Sequence, residues 1–336
     1  MKFTTFVPAK TDASTPAAYG FLCEKSGIVD LASGLASLAT ERARAHAAPI
    51  PGSLLGLIEA YDVFSADVQA LATRSREGNL PSGTLTFEAS AVTLLSPIPR
   101  PPSMRDGYAF RQHVLTARRN RGLEMIPEFD EFPVFYFTNH GAVTGPGDVH
   151  VRERHTEKLD FELEAAIVVG KKARDLSPKQ ADDVIFGLTI MNDWSARALQ
   201  MKEMTLSLGP AKGKDFATSL GPYLVTLDEL KDCTTTSDRG MAFDLGMRAF
   251  VNGKQLSTGN VKEMNWTFSE ILSRASYGVD LYPGDVVGSG TCGTGCLLEL
   301  NGSKITDNLW LKPGDTVVLE IDRLGRLENR IVLTEK

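Results

Sequence analysis

The chain has 336 residues, 42% of them hydrophobic and 23% charged, with a net charge of −6 and a pI of about 5.5. This is an ordinary soluble globular composition, with enough length for one large core and a smaller companion. The acidic balance argues against nucleic acid or an anionic membrane as partner. No apolar run reaches a membrane span, and Met1 to Pro8 lacks the apolar stretch of a signal peptide, so a cytoplasmic protein is expected.

In chain order, Leu31 to Ala47 is Ala-rich and helix-prone, Leu54 to Ser75 carries one or two further helices, and Thr84 to Leu95 alternates as a strand. The run Ser96-Pro97-Ile98-Pro99-Arg100-Pro101-Pro102-Ser103 blocks helix and central strand. It separates an expected N-terminal domain (1–93) from a larger one (94–336). Tyr108 to Arg121 is helix-compatible, opened by Asp106 and stopped by Gly122, and Val134 to Thr138 reads as a strand. Leu159 to Val169 is a strand in which acids alternate with apolar residues before a β-branched end. Pro178 to Phe186 is a helix with Ser177 as N-cap. Gly187 to Asn192 is a buried strand, and Trp194 to Glu203 a helix. Strands are then expected over 223–226, 247–251, 285–289, 297–300, 316–321 and 327–333, with a hairpin turn at Asn252-Gly253. The whole reads as a β-rich α+β protein.

Glu162 and Glu164 carry the most chemistry. Side chains two apart on a strand share a face, so two carboxylates are held side by side on an otherwise buried strand. Unpaired like charges against apolar surface are costly, and a divalent cation between them is the economical remedy. Asp106 and Asp193 complete an all-carboxylate set suited to Mg²⁺, Mn²⁺ or Ca²⁺ rather than zinc. Read singly, Asp106 and Asp193 also suit helix N-caps. On a helix, Asp193, Arg197 and Gln200 share a face, either as a ligand-orienting surface or as a solvated ion pair. Lys214 sits in the Gly-rich loop 209–222 and could face an oxyanion or simply solvent. His113 could act as a base or be structural, with Glu299, read as an acid in an apolar strand, as its orienting partner. Cys23, Cys233, Cys292 and Cys296 read as free buried thiols, since Cys292 and Cys296 lack Cys-x-x-Cys spacing.

Several motifs occur in a set order. They are Asp106 followed by Arg111-Gln112-His113, then Phe132-Pro133-Val134-Phe135-Tyr136, Asp160-Phe161-Glu162-Leu163-Glu164 and Met191-Asn192-Asp193-Trp194-Ser195-Ala196-Arg197. Gly213-Lys214-Asp215-Phe216, Gly288-Ser289-Gly290-Thr291 and Leu298-Glu299-Leu300 follow. In this order they resemble the fumarylacetoacetate hydrolase family over roughly residues 94–323. The resemblance implies a mixed β-roll catalytic domain, metal ligation by Asp106, Glu162, Glu164 and Asp193 (Mg²⁺, or Mn²⁺ or Ca²⁺), and His113 as base oriented by Glu299. It also implies that Arg197, Gln200 and Lys214 hold the substrate and its oxyanion, that Tyr136 and Thr291 contact it, and that the chain assembles as a homodimer. Near Met204 the chain departs from the fumarylacetoacetases, which carry a tyrosine there.

The expected function is metal-dependent hydrolysis of a carbon–carbon bond in a 1,3-diketo acid, in aromatic-compound catabolism. Alternatives are a 2-oxo acid decarboxylase or hydratase of the same family, a non-catalytic metal-dependent protein binding small acids, and a protein whose metal is structural.

Overall fold

The strand Leu163–Val169 is buried at every position. Its alternation divides its side chains between two cores: Ala165, Ile167 and Val169 enter one apolar cluster, Ala166 and Val168 the other. A sheet containing such a strand is covered on both faces. The computed structural model describes residues 1–9, 15–43 and 45–334.

The N-terminal part forms β1 (Lys2–Pro8), β2 (Ala18–Cys23), β3 (Gly27–Asp30), α1 (Leu31–Glu41), α2 (Leu54–Glu59), α3 (Tyr61–Glu77), β4 (Thr86–Phe87) and β5 (Val92–Leu94). After the Pro-rich stretch come β6 (Met104–Gly107), α4 (Arg111–Arg119), β7 (Phe135–Phe137), β8 (Val143–Thr144), β9 (Gly147–Val151), β10 (Leu159–Asp160) and β11 (Leu163–Val169). Next are α5 (Pro178–Ala181), β12 (Ile185–Asp193), β13 (Ser195–Ala196), α6 (Arg197–Met204), β14 (Thr218–Thr226), β15 (Thr234–Ser237) and β16 (Gly240–Phe243). The chain ends with β17 (Gly246–Val251), β18 (Lys254–Asn260), α7 (Phe268–Ala275), β19 (Val286–Gly288), α8 (Leu297–Gly302), β20 (Thr316–Ile321) and β21 (Gly325–Leu333).

Among the described residues the central sheet has twelve strands. Ten follow the order β4-β3-β2-β1-β14-β12-β11-β19-β6-β7, with β5 beside β1 and β8 beside β14. A five-stranded sheet, β18-β17-β20-β21-β9, covers one face, sending Met247, Ala249, Leu319, Leu327 and Ile331 into the first cluster. Helices α1 to α3 cover the other, with Leu31, Leu35, Leu57, Phe64, Val68 and Leu71 in the second. The N-terminal strands continue the central sheet, since β1 pairs antiparallel with β14 (Phe3 opposite Leu224). The architecture is mixed α+β and sheet-rich, as the sequence indicates. The Asn252-Gly253 turn joins β17 to β18 with both residues at positive φ, 50° and 79°.

Several local expectations are corrected. Leu297 to Leu300 is helix α8, not a strand: Cys296 is extended, and the N–H groups of Leu297 and Leu298 donate to the Asp160 carboxylate at 2.7 and 3.0 Å. A cap supplied from 137 residues away leaves no local signal. Asp106 lies on β6 rather than opening a helix, because α4 begins only at Arg111. Asp193 ends β12, and α6 starts at Arg197, so Asp193 and Arg197 are not a helix pair. The acidic strand is interrupted: β10 pairs with β13, and β11 resumes at Leu163 against β12. The stretch 84–95 breaks into β4, a 3₁₀ turn and β5. Pro178 to Phe186 is helical only to Val184. The first N-terminal helix ends at Glu41, with Arg44 outside the described residues, and Leu54 to Ser75 holds two helices.

Candidate metal centre and active site

Strand parity places the acids. Met104, Ala166 and Met191 all enter the second apolar cluster. Asp106, Glu164 and Asp193 are each two residues from one of them, on β6, β11 and β12, and so continue that face beyond the apolar core. Asp106 reaches the others across β19, where Gly288 stands beside it. A Cβ on Gly288 would lie 2.4 Å from Asp106 Oδ1, so this close approach requires glycine. Gly290 N–H donates to the same oxygen at 3.0 Å. Glu162 sits in the gap between β10 and β11, its amide donating to Asn192 Oδ1 at 2.9 Å.

The structure brings all four predicted acids together. Asp106, Glu162, Glu164 and Asp193 each offer an oxygen within 4.8 Å of the others, and all are buried. Lys214, expected as readily in a solvated turn, is buried instead. Its ammonium donates to Glu162 and to Asp193 Oδ2, the latter at 2.7 Å. Arg197 donates to Asp160 at 2.8 Å, Glu162 at 2.7 Å and Gln200 at 2.9 Å. Tyr136 donates its hydroxyl to Asp193 Oδ2.

The electrostatics follow from burial and partners. Burial tends to raise the Glu162 carboxyl, but Lys214 and Arg197 outweigh it and hold it at about 2. Burial, and then Asp193, push Asp106 up to about 7. Burial with Asp106, Glu162 and Asp193 around it drives Glu164 well above the usual range. Asp193 is also raised, burial exceeding the pull of Lys214. Both Glu164 oxygens and Asp193 Oδ1 are buried without a hydrogen-bond partner. Lys214 and Arg197 stand against five carboxylates once Asp160 is counted, so negative charge is left over. Orphaned oxygens, an all-oxygen donor set and that residual charge fit one hard divalent cation.

His113, on α4, pairs through Nδ1 with Glu299 Oε2 at 2.5 Å, and Glu299 Oε1 accepts the Thr294 amide at 2.9 Å. Both are buried. Asp106, Glu162 and the His113–Glu299 pair line one cavity of about 820 Å³, whose wall also includes Tyr136, Arg197, Gln200, Lys214 and Thr291, while Glu164 and Asp193 lie behind Asp106 and Glu162 in the cluster.

Three contributors escaped the sequence reading. Asp160 caps α8 and clamps Arg197, and so ties the helix of Glu299 to the acidic cluster. Its signal was available, since 160, 162 and 164 share parity in one acidic run. Glu203 accepts the amides of Ala211, Lys212 and Gly213 at 2.8–3.0 Å and shapes the loop that delivers Lys214. Tyr108 packs edge-on against the His113 ring, centroids 5.7 Å apart. Neither Glu203 nor Tyr108 had a sequence signal.

The class defined so far is a sheet-rich α+β protein with four clustered buried carboxylates and a buried His–Glu pair. The profile of the fumarylacetoacetate (FAA) hydrolase C-terminal region matches residues 103–332. The oxaloacetate tautomerase YisK of Bacillus subtilis is 32% identical, over 84% of this chain and 87% of that one. The fumarylacetoacetase of Oryza sativa subsp. japonica is 34% identical, over 49% of this chain and 46% of its own length. The chain belongs to the fumarylacetoacetate hydrolase family. Its fold matches that of maleylpyruvate hydrolase from Sphingobium sp. SYK-6 in complex with manganese(II) ion and pyruvate (TM-score 0.67, 19% identity, all of both chains covered). It also matches the hydrolase from Exiguobacterium antarcticum (TM-score 0.68, 24% identity, 99% of this chain and all of that one).

Proposed function

We propose that this protein is a divalent-metal-dependent hydrolase that cleaves a carbon–carbon bond in small 1,3-diketo acids of the acylpyruvate or fumarylacetoacetate type. The observation that carries this reading is the His113–Glu299 pair, 2.5 Å apart, facing the same cavity as Asp106 and Glu162 of the carboxylate cluster. A cation bound by Asp106, Glu162, Glu164 and Asp193, whether Mg²⁺, Mn²⁺ or Ca²⁺, would supply Lewis acidity toward the oxygens of the 2-oxo acid and offset the charge of the departing enolate.

The chain's own residues carry the remaining steps. Glu299 accepts the Nδ1 proton and leaves His113 Nε2 to take a proton from water. The hydroxide adds to the carbonyl carbon remote from the carboxylate. Lys214 has three N–H donors, two of them spent on Glu162 and Asp193, and turns the third to the oxyanion. The carbon–carbon bond then breaks toward the carbon between the two carbonyls, and the proton on His113 goes to that carbon. Arg197 spends its guanidinium on Asp160, Glu162 and Gln200, and so positions acids, while Gln200, Tyr136 and Thr291 wall the substrate. Assembly as a homodimer belongs to the same reading, with sedimentation equilibrium as its test.

A second reading is keto–enol tautomerisation of a 2-oxo dicarboxylate, favoured by the breadth of the likeness to the Bacillus subtilis oxaloacetate tautomerase. It needs only the proton transfer at His113. The experiment is a panel of acylpyruvates, fumarylacetoacetate analogues and oxaloacetate with Mg²⁺ or Mn²⁺. Chain cleavage, CO₂ release and enol absorbance are followed separately. A carboxylic acid with an equal amount of pyruvate from an acylpyruvate, or of acetoacetate from fumarylacetoacetate, supports hydrolysis. Enol loss without cleavage moves the assignment to tautomerisation, CO₂ release to decarboxylation, and metal-dependent binding without turnover overturns both enzymatic readings.

A further inference from the structure

Cys296 has no part in the chemistry above, yet it is wholly buried at the mouth of α8, next to the dyad. Its Sγ, a ring nitrogen of His113 and a carboxylate oxygen of Glu299 all lie within 4.8 Å of one another. We propose that His113, Cys296 and Glu299 form a second cation site, selective for a borderline-soft ion such as Zn²⁺ or Co²⁺, that shuts the active site when filled.

The donor set decides the ion. One sulfur, one nitrogen and one oxygen make the three-ligand set of a tetrahedral zinc site with an open fourth position, whereas Mg²⁺ and Ca²⁺ avoid thiolate. The all-carboxylate cluster takes the opposite class of ion, so adjacent sites sort cations by softness. His113 and Glu299 line the cavity, so an ion they held would withdraw both from the space where substrate and attacking water would meet. Binding releases the thiol proton to solvent as the sulfur–metal bond forms, the proton that His113 Nδ1 shares with Glu299 moves to Nε2 so that Nδ1 can ligate, and nothing is oxidised or reduced. The filled site is electrically neutral, with two positive charges against one thiolate and one carboxylate and with imidazole uncharged. Neutrality is what a buried position requires.

The geometry is poised rather than complete. Nitrogen and oxygen each about 2.0 Å from a tetrahedral zinc are about 3.3 Å apart, and sulfur is about 3.5 Å from either. The 2.5 Å contact between His113 and Glu299 therefore opens by under an ångström, and the span to Cys296, at most 4.8 Å, closes by a comparable step. His113 comes from α4, and Glu299 is in the first turn of α8 directly after Cys296, so small side-chain movements suffice. Closure of turnover rests on the reading of His113 as base; the binding does not.

The test is titration of the full-length, Mg²⁺-saturated protein with Co²⁺, read by near-ultraviolet absorbance. One equivalent is expected to produce a thiolate-to-cobalt charge-transfer band, retained in Cys292→Ser and lost in Cys296→Ser and His113→Ala. In parallel, Zn²⁺ should inhibit the wild type at concentrations that excess Mg²⁺ does not relieve. Cys296→Ser, measured against its own metal-free-of-zinc rate, should need at least tenfold more Zn²⁺. Absence of the band in the wild type, which needs no variant to fold, overturns the proposal, as does a band that survives Cys296→Ser. A Cys296-dependent band with undiminished turnover upholds the site and removes His113 from the role of base.

Discussion

Glu164 shows what burial does to a carboxylate without a partner. Neither oxygen is hydrogen-bonded, three other acids surround it, and burial followed by the neighbouring charges drives its carboxyl well above the usual range. Glu164→Gln removes a charge that burial disfavours. Its metal-free melting temperature is expected to be no lower than the wild type's, while the stabilisation by Mn²⁺ falls at least tenfold in apparent affinity. Calorimetric titration with Mn²⁺ checks this, and undiminished affinity would remove Glu164 from the ligand set. For His113, which lines the cavity, the proposed role is that of base. His113→Ala should lower kcat on a cleaved diketo acid by about 10²–10⁴-fold and leave Mn²⁺ affinity within a few-fold, since general-base assistance has that magnitude. Full turnover in this variant would end its role as base.

At the scale of elements, α8 depends on a residue it does not contain. Asp160 accepts the first two amides of the helix and holds Arg197, whose other contacts fix Glu162 and Gln200. Asp160→Ala leaves a buried guanidinium short of a partner and two amides orphaned. Loss of one member of a buried ion pair costs about 3 kcal/mol or more. The variant should be less stable by about that amount, and hydrogen exchange at Leu297 and Leu298 should accelerate ahead of exchange in β11. Denaturant unfolding with mass-resolved exchange reads both, and unchanged protection at Leu297 would show that the cap is dispensable.

For the whole molecule, the acidic cluster couples stability to pH and to metal. The Asp106 carboxyl sits at about 7 in the folded chain, against about 3.9 unfolded, so the folded state binds that proton more tightly. The resulting stabilisation is full below about pH 4 and is lost as pH climbs through about 7. Metal-free protein should therefore melt lower at about pH 8 than at about pH 6, and Mn²⁺, which needs ionised ligands, should raise the melting temperature more at the higher pH. Equal shifts at both values would count against a cation on these acids. The proposed division at residues 93/94 is a boundary of sequence character. Because β1 pairs with β14 and α1 to α3 cover the second apolar cluster, residues 94–336 alone would expose a sheet edge and an apolar face. That fragment is expected to aggregate, and a soluble monomer by sedimentation would show that the catalytic part folds unaided.

What was legible in the sequence rested on short-range periodicity. Two-residue alternation marked β11 and set Glu162 beside Glu164, the segments of β17, β20 and β21 read as strands, Asn252-Gly253 marked a hairpin, and ordered motifs named the residues of the site. These signals are local because they follow from the geometry of the backbone itself. The helical state of Leu297 to Gly302, the burial of Lys214 and the meeting of Asp106 with Asp193 were decided only in three dimensions. Each depends on a partner far along the chain: Asp160 for α8, Glu162 and Asp193 for Lys214, and the crossing at Gly288 for Asp106. Hydrogen bonds and charges of that range cost chain entropy to bring together, and only the packed sheet, with both faces covered, holds them in place.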